Sequence, residues 1–216
     1  MGIFVHILSS SCFMPVRNQK AFWNFYAPVY NIVMHANKKA YQEMYQKIRK
    51  VILKKQVLEV AAGTGLIARN TAKFAKKYIA TDFSENMLYQ AQKGNQLENL
   101  FFMQADACAL PFEDNSFDVV IISNALHIMP NPEKALSEIA RVLKTDGILS
   151  APCFMCETVT PTAMISYKLF TIAGVTFSGW TEQEYIQFLK NNRFHIRKKV
   201  VLKAVMPLLY TEAVYR

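Results

Sequence analysis

A glutamate, a glycine loop, two aspartates and a histidine recur through the middle of this sequence at intervals that could bring them together. Glu59 stands four residues before Gly63 in the stretch Leu58–Ala68, LEVAAGTGLIA, and Asp82, Asp106 and His127 follow downstream. Gly63-Thr64-Gly65-Leu66-Ile67-Ala68 satisfies G-x-G-x-x-[G/A], and Asp82 lies where an acid would accept from ribose hydroxyls. Taken alone, that is the pattern of an NAD(P)-dependent oxidoreductase. Glu59 argues against a dinucleotide. A pyrophosphate on this loop would face its carboxylate at a cost of roughly 1–4 kcal/mol at a few ångströms. No Lys or Arg stands between Glu59 and Arg69 to offset it. The same carboxylate favours a ligand with a positive amino group, which is to say an amino-acid-bearing nucleoside.

These residues need strands and helices in alternation to hold them. Val57–Ala61, Tyr78–Asp82, Phe101–Ala105, Phe117–Ser123 and Ile148–Ala151 read as strands, and Val119–Ile122 is apolar on both faces, as a central parallel strand should be. Helices are expected over Leu66–Lys76 and over Glu85–Gln92 with Ser84 as N-cap. Another follows Asn131, which caps, with Pro132 first in the helix. Thr181–Glu184 is a capping box opening a helix to about Asn191. Residues 18–53 read as helical, interrupted at Pro28. Two final strands, near Phe194–Leu202 and Leu208–Tyr215, have no helix between them and should form an antiparallel hairpin at one sheet edge. The expected fold is a doubly wound α/β sheet of seven mostly parallel strands. Such sheets bind ligands at the carboxyl ends of their strands, where the glycine loop lies.

Composition narrows the class. The chain's 216 residues, 52% hydrophobic and 19% charged, suit one globular domain and exclude a disordered chain. Cys12, Cys108, Cys153 and Cys156 lack the spacing of a secreted disulfide framework and read as reduced thiols of a cytoplasmic protein. The Cys153-x-x-Cys156 pair has no partner pair with which to build a zinc site, and no metal is expected. The first thirteen residues read as an untargeted extension. The net charge of +9 is unevenly placed. Residues 1–56 carry nine Lys/Arg against one Glu, residues 57–189 nine against fourteen Asp/Glu, and residues 190–216 seven against one Glu. The basic flanks lack the interleaved aromatics of a nucleic-acid module, so no nucleic-acid partner is expected.

Glu59-Val60-Ala61-Ala62-Gly63-Thr64-Gly65 resembles the first motif, [D/E]-x-G-x-G-x-G, of class I S-adenosylmethionine-dependent methyltransferases. IATDFSENML and ADACALPFEDNSFDVVIISNALHIMPNPEKALSEIARVLKTDGIL resemble the segments that follow it in that family. The likeness covers roughly residues 50–200 and is greatest to the small-molecule branch around the ubiquinone- and menaquinone-biosynthesis C-methyltransferases. Ala61 departs from the pattern by replacing the first glycine. The resemblance implies S-adenosylmethionine as cofactor, with Glu59 contacting its amino group and Ala61, Gly63 and Gly65 lining the methionine and ribose. It also implies Asp82 accepting from both ribose hydroxyls and Phe83 and Met87 sandwiching the adenine. Asp106 and the Ala107 N–H would meet the adenine edge, and Asn124 would lie at the methionine end. Tyr26 and Tyr30 resemble the aromatic segment that closes over the cofactor. A cofactor-binding protein without turnover would share these residues.

For the acceptor, His127 is the titratable group placed to face the methyl, either as a general base or as a loop histidine bound to backbone. A single domain is expected over 1–216: an extension and helical cap at 1–55, a cofactor core at 56–154, a lid at 155–180, and a helix and hairpin at 181–216. The lid, with a helix near 162–173, carries many apolar groups. Beside the basic N-terminal flank it suits a small, apolar or anionic acceptor, or peripheral contact with an anionic membrane.

Overall fold

The computed structural model describes residues 19–155 and 179–216. Residues 156–178 of the expected lid, with Cys156, and the expected extension lie outside the described residues. The described residues open with helices α1 (Gln19–Met34) and α2 (Lys38–Ile52). It then alternates through β1 (Gln56–Val60), α3 (Leu66–Thr71), β2 (Lys77–Asp82), α4 (Glu85–Gln92), β3 (Leu100–Gln104) and β4 (Phe117–Ile122). It ends with α5 (Pro132–Val142), β5 (Leu143–Ser150), β6 (Cys153–Phe154), α6 (Glu182–Asn191), β7 (Phe194–Leu202) and β8 (Leu208–Tyr215).

Strands β3, β2, β1, β4 and β5 lie side by side in parallel. β8 runs antiparallel to β5, and short β6 continues along that same side of β8 past the bend at Ala151-Pro152. β7 pairs with β8 at the edge, so the eight described strands occupy the seven lanes expected. The apolar faces of β4 explain its central place. Val120 and Ile122 pack with Leu58, Leu136, Ile139, Tyr185 and Leu189 under α5 and α6. Val119 and Ile121 pack with Val57, Met44, Ile48 and Ile52 under α2 and α3.

Local details differ from expectation where a competing bond decides. Pro28 does not interrupt α1, which runs through it to Met34. A proline removes the bond to the carbonyl four residues back, and that carbonyl, Asn24 O, instead accepts from Asn86 Nδ2 at 3.1 Å. The break comes at a 3₁₀ turn, His35–Asn37. Asn131 makes no side-chain cap on α5, leaving Pro132 as the start signal. Helix α3 ends at Thr71 and tightens to 3₁₀ over Ala72–Phe74, short of Lys76. β5 starts early, at Leu143. Its pairing jumps from Phe117↔Leu143 to Val119↔Ile148, so the Asp146-Gly147 turn sits inside a bulge. Ser84 and the Thr181–Glu184 box cap as their sequence implies.

Candidate functional site

The glycine loop leaves β1 and is pinned to β2. The Gly63 N–H donates to Asp82 Oδ2 at 2.8 Å, the Ser84 N–H to Asp82 Oδ1 at 2.9 Å, and the Ala62 N–H to the Thr81 carbonyl at 2.9 Å. Asp82 is buried, and that burial raises its pKa against the lowering effect of the Ser84 and Gly63 bonds. Ala61 adopts φ 53° and Gly65 φ 72°. Glycine takes such angles freely, whereas alanine is strained there. A Cβ on Gly65 would stand 3.0 Å from Ala91 Cβ and 3.2 Å from Phe102 Cε1, so a side chain at this position would crowd α4 and β3.

Glu59 is 2% exposed and faces inward rather than into an open cleft. Tyr78 Oη donates to its Oε2 at 2.7 Å, and the Ala68 N–H also donates to it. Burial outweighs both bonds and pushes its carboxyl up to about 8. Asp106 is exposed at the end of β3, with Oδ1 accepting from the Cys108 N–H at 2.8 Å; Ala107 is half-buried beside it. Phe83 is half-buried, while Met87 is buried in α4.

Asn124, at φ 52° after β4, joins three elements. Its N–H donates to the Pro152 carbonyl, its Nδ2 to Tyr41 Oη at 3.1 Å, and its Oδ1 accepts from the Phe154 N–H at 3.0 Å. His127 lies in the following 3₁₀ turn, buried, with Nδ1 3.5 Å from Cys153 Sγ. Burial lowers its pKa to about 4, so the ring is neutral at pH 7. The structure therefore brings Glu59, the loop, Asp82, Asn124 and His127 to the carboxyl ends of β1, β2 and β4. His127 sits in a buried turn rather than at an open mouth.

Helix α1 seats on this loop. Asn24 Oδ1 accepts from Ser84 Oγ at 2.5 Å and from the Asn86 N–H at 3.4 Å; Asn31 Oδ1 accepts from Thr64 Oγ1 at 2.5 Å. Phe22, Trp23, Tyr26 and Tyr30 form an aromatic cluster on α1, in which Phe22 and Tyr26 stack at 5.7 Å. Tyr30's pKa is raised by burial first, then by Tyr26 and Asp82 nearby. Sequence reasoning missed Asn24, Asn31 and Tyr78. The two asparagines, seven apart on an otherwise apolar and aromatic helix, were the available signal for the first pair. Tyr78 gave none, since an aromatic in a buried strand is ordinary core.

Residues 58–151 match the model of the methyltransferase domain family. The demethylmenaquinone methyltransferase of Staphylococcus carnosus is 33% identical over 195 residues, covering 85% of this chain and 78% of that protein. The chain belongs to the S-adenosylmethionine-dependent methyltransferases. Demethylmenaquinone methyltransferase of Staphylococcus epidermidis is 32% identical over 188 residues and is covered over 75% of its length. The relative from Renibacterium salmoninarum is 42% identical over 106 residues, and there the chain matches only 44% of the relative's length. Among solved structures, magnesium protoporphyrin IX methyltransferase of Synechocystis PCC 6803, with bound SAH, superposes with TM-score 0.67 at 17% identity over 92% of this chain and 96% of that one. A chain of the Haloferax volcanii complex of the Trm112 activator with a putative methyltransferase reaches TM-score 0.75 at 18% identity over 93% of this chain and 97% of its own. Both share the fold.

This methyltransferase's residues fit the family's cofactor, S-adenosylmethionine. A carboxylate at the end of β2 suits two adjacent hydroxyl donors. The loop offers open space at Gly63, where a Cβ would meet nothing within 4 Å. Neither feature calls for a pyrophosphate, and no cation stands on the loop itself.

Proposed function

We propose that this cytoplasmic methyltransferase transfers a methyl group from S-adenosylmethionine to a small quinone-type acceptor, apolar and met in its reduced, electron-rich form. The observation that carries the reading is the glycine loop bracketed by buried Glu59 and Asp82 and covered by the aromatic face of α1. The names of the staphylococcal relatives support the acceptor class.

S-Adenosylmethionine, when bound, supplies a methyl carbon already activated by its sulfonium. The protein's task is then to align the acceptor and exclude water, and such positioning supplies about 7–11 kcal/mol of a barrier. Asp82 would hold the ribose while its bonds to Gly63 and Ser84 fix the loop. Asp106 and the Ala107 N–H would meet the adenine, between Phe83 and Met87. Ala61, Gly63 and Gly65 would line the rest, with Asn124 at the methionine end and Glu59, neutral in the free chain, ionising beneath the cationic amino group when it binds. Tyr26 and Tyr30 would close over the site from α1. His127, neutral and weakly basic, suits a hydrogen bond to an acceptor hydroxyl better than proton storage. The basic flanks suit peripheral contact with an anionic membrane in which an apolar acceptor would dissolve; no described helix is long and apolar enough to cross one.

Labelled S-adenosylmethionine offered with quinols, phenols, amines, thiols and carboxylates tests the reading. Label should enter a quinol at carbon. Label entering only amines or thiols overturns the acceptor class.

A further inference from the structure

At the opposite end of the sheet from the glycine loop, a second feature has no part in methyl transfer. The strands begin there. The Lys54 N–H donates to the Phe74 carbonyl just before β1, the Tyr78 N–H to the Asn99 carbonyl near the start of β2, and Asn99 Nδ2 to the Ala72 and Ala75 carbonyls. Between the ends of α2, α3 and α4 lies a cavity of about 310 Å³ lined by Arg49, Arg69, Lys73 and the Gly94–Leu97 turn.

Its cations are held in place without being neutralised. Arg49 donates through Nε and Nη2 to the Asn70 carbonyl at 3.3 and 3.1 Å, and its guanidinium lies 5.2 Å over the Phe74 ring. Lys73 lies 5.3 Å from the same ring. Arg69 donates to the Lys93 carbonyl at 3.5 Å. Backbone carbonyls and a ring orient a guanidinium but leave its charge whole. Among the described residues, no carboxylate pairs with any of the three, whereas Lys144 and Lys199 elsewhere each have one and Arg141 has two. No acidic residue lines the cavity; Glu98, the next acid along the turn, is exposed beyond it. Gly94 at φ 70° keeps the far wall open, since a Cβ there would meet nothing within 4 Å.

Like charges gathered with no counter-charge repel one another, at a cost that a bound anion removes. Two guanidiniums with donors to spare match phosphate oxygens in particular, because the planar fork bonds two oxygens at once. We propose that the cavity between Arg49, Arg69 and Lys73 is a second ligand site, which takes a phosphate or diphosphate group. That group could be carried by a soluble metabolite or by a phospholipid head. A larger cavity of about 610 Å³ meets it at Arg49 and Asn70 and runs between α2 and α3 past Tyr45 and Tyr41 to Leu66 beside the glycine loop.

The full chain titrated with inorganic phosphate and pyrophosphate, with chloride at matched ionic strength as control, tests the site. Vesicles of phosphatidylglycerol set against phosphatidylcholine test the lipid source. Arg69→Gln and Lys73→Gln are the variants, and neither residue belongs to the cofactor site. Lys73 is exposed, so its variant should keep the wild-type melting temperature even if Arg69→Gln does not. The expected result is pyrophosphate binding weakened about tenfold or more in each folded variant, the loss typical of a charge-assisted hydrogen bond. If only phosphatidylglycerol vesicles bind, with the same dependence on both residues, the site stands and its source is lipid. If neither probe binds beyond its control, or if binding is unchanged in Lys73→Gln, the proposal is wrong.

Discussion

Replacing Glu59 by Gln should flatten the pH dependence of the free protein's stability above neutrality. In the folded chain, burial lifts this carboxyl from 4.5 to about 8, despite the bonds from Tyr78 and Ala68. A folded pKa raised above the unfolded one gives stability that is complete below pH 4.5 and is lost as pH rises through 8. At 1.36 kcal/mol per unit, the part lost between pH 6.5 and pH 8 is about 1.5 kcal/mol. His127 adds about 0.4 kcal/mol across the same window, but it does so in both proteins and cancels in their difference. Its pKa of about 4 folded against 6.5 unfolded acts with the opposite sign, adding stability as pH rises from 4 to 6.5. Urea unfolding of wild type and Glu59→Gln at pH 6.5, 7.25 and 8 reads the difference directly. The wild type should lose about 1.5 kcal/mol more than the variant across the window. A cationic amino ligand should also bind the wild type more tightly at pH 8, where the carboxylate is ionised at less cost, and Glu59→Gln should lack that gain. Parallel stability profiles for the two proteins would refute the claim that Glu59 is protonated in the folded, ligand-free chain.

Other outcomes follow from the same geometry. Asp82→Ala should weaken S-adenosylhomocysteine binding by about 1.5–3 kcal/mol, the worth of charge-assisted hydrogen bonds, and should lower the melting temperature by orphaning the Gly63 and Ser84 N–H groups; calorimetry that finds an unchanged Kd removes its role. Ala61→Gly should relieve the left-handed strain, about 1–2 kcal/mol, against about 0.4–1 kcal/mol of added unfolded-state entropy, and so stabilise modestly in urea unfolding. Gly65→Ala should do the reverse, because its Cβ meets Ala91 and Phe102 as well as a positive φ. His127→Gln should leave the acidic limb of kcat near pH 6–7 unaltered, because the buried imidazole of the wild type titrates near 4; a limb near 6.5 that vanishes in the variant would restore it as a general base.

The central place of β4 was legible because Val119–Ile122 is apolar on both faces, which a covered parallel strand can bury, whereas the order of the strands around it depends on long-range pairing. The glycine loop and Asp82 were legible too, since positive φ and a strand-end acid leave a mark in residue type. What escaped were bonds between distant segments. Asn24 to Ser84 and Asn86, Asn31 to Thr64, and Tyr78 to Glu59 are long-range pairs; the spacing of the two asparagines marks one helix face but not their partners. The expectation that Pro28 would break α1 failed for the same reason, since Asn86 supplies the donor that a local reading could not see. The inward setting of His127 and Glu59 was likewise hidden, because exposure depends on what α1, α2 and α3 place over the strand ends.

Methyl transfer from S-adenosylmethionine to a reduced quinone-type ring can be read from one incubation. The protein is given S-adenosylmethionine with an isotopically labelled methyl and a short-chain prenylated naphthoquinone, either chemically reduced or left oxidised, and products are read by mass spectrometry. The expected products are one labelled methyl on a ring carbon of the reduced acceptor, one S-adenosylhomocysteine per product, and no label on the oxidised ring. Binding of S-adenosylhomocysteine with no labelled quinol in either arm would contradict that transfer.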